Sequence, residues 1–168
     1  MKKDTRNDTN NRYTGFALAA MDAALAERQV TDQILQCNEV TEKYGLILTE
    51  HQALSLAQTR TTSLKENRRI EFGSGIVDKL IMEFCDSPYL SQENYEDTLH
   101  ELISLFYEMK NLTEDRVSDR DLMEFMKQAF DNGCRGSLEL LSGEAMRLSE
   151  HIHCGGTIKT FRLKETAI

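Results

Sequence analysis

Across 168 residues the chain contains a single proline, Pro88, and its apolar residues recur at steps of three and four on both sides of it. Proline removes a backbone donor and breaks helix interiors, so a chain nearly free of it carries few imposed interruptions. Glycines and polar clusters are left to end the helices. Positions three and four apart share a helix face, whereas a strand alternates every second residue. Ile76, Val77, Leu80, Ile81, Phe84 and Cys85 follow the helical rule, so one wide face must be buried.

Asp86-Ser87-Pro88 ends that helix, and Ser91 is expected to open the next, with Tyr95, Leu99, Leu102, Ile103, Phe106 and Met109 on one side. Ser118, three residues before Asp121, starts a shorter helix through Leu122, Phe125, Met126, Ala129 and Phe130. Asp131-Asn132-Gly133 closes it. Leu138, Leu141, Ala145, Leu148 and Ile152 form a final seam of the bundle type. Upstream, an alanine-rich stripe of Phe16, Ala20, Ala24 and Leu25 predicts a helix over 13–28. Thr31 is then an N-cap for a helix carrying Ile34, Cys37 and Tyr44 up to Gly45. Thr49 and Gln52 have capping-box spacing ahead of a helix with Leu54, Ala57, Thr61 and Leu64 on one face, and Ser74 in the turn FGSG is a cap candidate.

Each stripe must find a partner, so the expectation is an all-α fold, a compact bundle of six to seven amphipathic helices in one domain over 13–154. A disordered polar tail is expected at 1–12 and a further tail at 155–168, where TIKTFRL gives the one hint of a strand. The formal net charge of -8 argues against nucleic acid or an anionic membrane surface as partner. No eighteen apolar residues run together, and MKKDTRNDTNNRYTG lacks the apolar core of a signal peptide, so a cytoplasmic protein is expected. Four cysteines, at 37, 85, 134 and 154, show no Cys-x-x-Cys pair, and reduced thiols are the simplest state.

Four stretches invite chemistry. HIHCGG at 151–156 offers His151, His153 and Cys154 as metal ligands. On a helix His151 pairs with Cys154, on an extended segment with His153, so the stretch supplies two ligands where structural zinc wants four. Cys134 would have to join from elsewhere. The plainer reading is a helix end whose histidines favour the negative dipole terminus, with Gly155 as cap. Asp97-x-x-His100 and Glu150-x-x-His153 have the spacing of di-metal ligands in helical bundles, yet these residues lie off the apolar stripes and are expected to face water.

Arg68 and Arg69, just ahead of Ser74 and Gly75 at a helix start, are a candidate anion site, since exposed amides, a positive dipole end and guanidinium groups favour an anion. Glu71 and Asp78 oppose it, and the third glycine of a dinucleotide fingerprint is missing. Cys85 and Cys37 fit apolar stripes, and Cys134, between Gly133 and Arg135, is expected to be the exposed, cation-perturbed thiol. DNGCRGSLELLS lacks the oxygen ligands of a calcium loop at its third, fifth and twelfth positions, which argues against calcium.

The run EFGSGIVDKLIMEFCDSPYLSQENYEDTLHELISLFYEMKN, together with GSLELLSG, resembles an uncharacterised family of bacterial proteins, a domain of unknown function found mainly in Gram-positive anaerobes. The similarity extends from about Thr31 to His153. It implies a bacterial, cytosolic protein and carries over no catalytic residue or cofactor. The leading expectation is therefore a non-enzymatic helical module that binds a protein partner or itself, with no cofactor. The opposing class is an anion- or small-ligand-binding protein or enzyme, using the Arg68/Arg69–Gly75 turn or the Cys134/His151/Cys154 region.

Overall fold

The structure is a computed structural model that describes residues 7–71 and 75–163, with side chains from Met21 onward. Its described residues form six α-helices and one 3-10 turn, with no strand. The helices are α1 (Asn7–Thr41), α2 (Glu50–Glu66), α3 (Val77–Phe84), α4 (Tyr95–Leu112), α5 (Asp119–Asp131) and α6 (Leu138–His153). The all-α bundle read from the stripes is the fold observed. α4 lies at its centre, touching α2, α3, α5 and α6, while α1 packs against α2 and α3. One hydrophobic cluster runs through all of them, from Val30 on α1 to Ile152 on α6.

Several local expectations are corrected. α1 is a single helix of 35 residues rather than two. Thr31 is not a cap: its hydroxyl donates to the Glu27 carbonyl at 2.8 Å inside the helix, which removes the reason for a break there. Of the polar tail expected at 1–12, residues 1–6 lie outside the described residues and 7–12 belong to α1. Ser74 also lies outside them, and the residue before α3 is Ile76, without a side-chain cap. α4 begins at Tyr95 rather than after Ser91, because the Asn94 amide folds the intervening turn, accepting from Ser91 N–H at 2.9 Å and donating to Tyr89 O at 3.0 Å.

Where the capping chemistry is complete the sequence reading holds. Thr49 and Gln52 form the reciprocal box at the start of α2, and Ser118 Oγ accepts from Asp121 N–H at 3.1 Å at the start of α5. Gly45, at φ +76°, turns the chain after α1. The connector that follows is extended, with Leu46 and Leu48 buried and Ile47 exposed. Two amides satisfy its backbone: Asn38 grips Leu48 (2.8 and 2.9 Å) and Gln92 grips Ile47 (both 2.8 Å).

The buried stripes of α3, α4, α5 and α6 are the predicted ones, whereas α2 is rotated. It buries Ala53, Leu56, Ala57, Arg60 and Ser63 and leaves Leu54 exposed. Beyond α6 no strand forms among the described residues, and 164–168 of the expected tail lie outside them. Residues 157–163 make a turn and a short extended run, and Ile158, Phe161 and Leu163 pack against the core.

Candidate functional site

HIHCGG is the end of α6. His151 and His153 lie in its last turn, Cys154 follows, and Gly155 at φ +88° makes the left-handed stop. The side chains diverge. His153 Nε2 donates to the Leu112 carbonyl at 2.7 Å, which ties α6 to the end of α4, with Glu114 3.9 Å from Nδ1. His151 Nε2 faces Thr157 O (3.1 Å) and Thr160 Oγ1 (2.8 Å) in the segment after the helix. A β-carbon at Gly156 would overlap that imidazole, so the ring is seated on the glycine.

Cys154 is exposed, and Cys134 is buried at 2% exposure, contrary to the expectation of an exposed thiol. The turn re-enters the core, with Cys134 N–H bonded to Ala129 O at 2.9 Å and Gly136 N–H to Phe130 O at 2.8 Å. Burial, then Glu144, pushes the Cys134 thiol up rather than down. Among the described residues no three His, Cys, Asp or Glu side chains gather closely enough to hold a metal ion.

The arginine–glycine corner is occupied by the chain's own carboxylates. Arg69 makes a two-pronged pair with Asp115, at 3.0 and 2.6 Å, and Arg68 is exposed. The Asp115 carboxyl is held below its ordinary value by these hydrogen bonds from Arg69. At Gly75 the guanidinium is that of Arg60 instead. Its Nε donates to Glu71 Oε1 at 3.1 Å, and Tyr107 OH donates to Glu71 Oε2 at 2.7 Å. A β-carbon at Gly75 would overlap the Glu71 carboxylate. The space an external anion would take is thus filled by an internal one, and Ser74 of this candidate set lies outside the described residues.

Sequence reasoning missed the most chemical grouping, in the seam between α2 and α4. His100 is half-buried there rather than facing water, while Asp97 and Glu150 are exposed as expected. Thr59 Oγ1 lies 2.6 Å from His100 Nδ1, and Ser55 Oγ and Glu96 Oε1 lie 3.3 and 3.5 Å from Nε2. Hydroxyl, imidazole and carboxylate stand in the order of a general-base relay. The arrangement cross-links two helices. Its one sequence signal is the pair of i, i+4 spacings, Ser55/Thr59 and Glu96/His100, which mean something only once α2 and α4 are known to touch.

Other buried polar side chains serve the fold in the same way. Lys110 Nζ donates to Val117 O at 2.6 Å and pairs with Asp119 at 2.8 Å. Lys127 bridges Asp86 and Asp131, each at 2.7 Å.

Residues 33–157 match a family of unknown function (DUF6323), most of the chain, and the protein belongs to it. No curated protein and no solved structure matches the chain.

Proposed function

We propose that this member of a family of unknown function is a non-enzymatic interaction module, binding a protein partner or a second copy of itself through the first half of α1. One observation carries the reading: α1 continues past the bundle. Burial along it begins at Val30, residues 21–26 are all exposed, and Met21 and Leu25, one turn apart on the same face, are 61% and 58% exposed. The stretch from Met21 to Gln29, ahead of the first buried residue, is about 14 Å of helix at 1.5 Å per residue. Helices without tertiary packing are marginal in water, so an apolar face of this kind is stabilised by something that covers it.

His151, His153 and Arg69 are meanwhile committed to internal partners, which favours scaffold over catalyst. No helix among the described residues is long and apolar enough to cross a membrane. The four cysteines, all free of disulfides, together with the family resemblance support a bacterial cytosolic setting.

Light scattering coupled to size exclusion, together with crosslinking to a candidate partner, tests the proposal. The wild-type chain should run above its 19.2 kDa monomer mass or form a defined complex. Met21→Asp/Leu25→Asp should abolish either while leaving the melting temperature within about 2 °C, because neither side chain is in the core. A wild type that stays monomeric and partnerless, or a complex indifferent to the double substitution, would sink it.

A further inference from the structure

The segment after α6 behaves as a ligand seated on the bundle. Phe161 is its anchor: the ring meets Phe125 of α5 edge-on at 5.6 Å and His151 of α6 at 5.5 Å, with the Arg147 guanidinium 5.1 Å from its centroid. Arg147 Nη2 also donates to Arg162 O at 3.3 Å, and the His151 imidazole closes on Thr157 and Thr160. Gly155 and Gly156, directly upstream, form the left-handed stop of α6 from which the segment departs. Its grip is incomplete. Ile158, Phe161 and Leu163 are only half-buried, and an open cavity of about 580 Å³ remains beside them against α5.

That cavity has a polarity. Asp121 and Glu124 line it from α5, while Lys159 and Arg162 line it from the segment, over a floor that includes Phe125. Glu150 lines the open space on the α6 side of Phe161. Two carboxylates, Asp121 and Glu124, the latter also paired with Arg120 at 3.0 Å, beside an aromatic floor fit a basic peptide carrying an aromatic residue, and TIKTFRL, residues 157–163, is such a peptide. The groove residues Phe125, Arg147 and His151 all fall within the family match, which ends at 157, so the groove belongs to the family domain and Phe161 does not.

We infer that the α5–α6 groove is a binding site for a short basic segment with one aromatic anchor, and that residues 157–163 occupy it in cis as an autoinhibitory strap. A tethered segment this close to its site has an effective concentration in the millimolar range, so a free peptide of equal intrinsic affinity at micromolar concentration is excluded. The groove opens when the strap lets go. This surface is separate from α1, and neither outcome at one surface decides the other.

The test uses the full chain and a labelled TIKTFRL peptide in fluorescence anisotropy. Phe161→Ala should loosen the strap and tighten peptide binding at least tenfold over wild type. In that background Asp121→Asn/Glu124→Gln should weaken it several-fold, and the peptide TIKTARL should bind neither protein. Equal binding by wild type and Phe161→Ala, no binding by Phe161→Ala, or equal binding of the two peptides would overturn the inference. Should Phe161→Ala prove unfolded by circular dichroism, hydrogen exchange on the wild type decides: excess TIKTFRL should speed exchange at Thr160–Leu163, and unchanged exchange at millimolar peptide refutes displacement.

Discussion

Replacing Gly75 by alanine disturbs more than a turn. The residue has φ +75°, where a β-carbon costs about 1–2 kcal/mol in backbone strain. That β-carbon would also overlap the Glu71 carboxylate and lie 2.9 Å from Arg60 Nε. Glu71 cannot yield without consequence, because it accepts from both Arg60 and Tyr107, and the Arg60 and Glu71 side chains are 7% and 19% exposed. Displacing it leaves a buried guanidinium and a buried phenol without their acceptor. Removing one member of a buried ion pair costs about 3–5 kcal/mol, so Glu71→Ala is expected in that range and Gly75→Ala at about 3–6 kcal/mol. In the Glu71→Ala background the overlap is gone, and Gly75→Ala should cost only the strain, about 1–2 kcal/mol. The double-mutant cycle, read by urea unfolding near neutral pH, should therefore show a coupling of about 2–4 kcal/mol. A coupling near zero, with Gly75→Ala costing the same in both backgrounds, would refute the placement of the carboxylate against this glycine.

The thiols should separate by reactivity: near neutral pH a disulfide reagent should titrate Cys154 at once and Cys37, Cys85 and Cys134 only on unfolding, since burial raises all three. Cys37 is pushed up to about 11 by burial, then by Asp78 and Cys85, from an unfolded value of 9.0. Its folded value lies above its unfolded one, so the stabilisation is full below pH 9 and is lost as pH rises toward 11, and Cys37→Ala should flatten that alkaline fall in a urea-midpoint series. Asp115 behaves in the opposite sense: lowered by Arg69 hydrogen bonds, it contributes above its unfolded value of 3.8 and loses that contribution as pH falls through the lower folded value. With its side chain 55% exposed the pair is worth only about 0.2–1 kcal/mol after screening, so Arg69→Ala should lower stability by that amount at pH 7 and by nothing measurable at pH 2. Ser118→Ala should cost about 1 kcal/mol in thermal unfolding through loss of the α5 cap.

How far the sequence could be read depends on how each helix is buried. α3, α5 and α6 each show one wet side and one dry side, so Leu80, Phe84, Met126 and Leu148 announce their faces through spacing alone. α2 does not, because the side it buries carries Arg60 and Ser63 while Leu54 is left outside. An apolar count rotates that helix the wrong way, and only the partner Glu71 explains why an arginine belongs inside. Caps were legible where both halves lie within four residues, as in Thr49 with Gln52; Thr31 has the right chemistry but spends it on Glu27 within a continuing helix. The candidate sites failed for a related reason. Arg69 with Asp115, His100 with Thr59 and His153 with Leu112 are separated by 46, 41 and 41 residues, and each pairing is set by which helices adjoin and in what register. A histidine's neighbours along the chain therefore say little about its chemistry here. His151 differs in that both of its partners, Thr157 and Thr160, are local, and its seat on Gly156 links the end of α6 to the strap that follows. His153, His100 and Arg69 tie helices or their connecting turns together, whereas His151 and Arg147 are fastened to the short segment after α6, where a change of state has the least packing to undo.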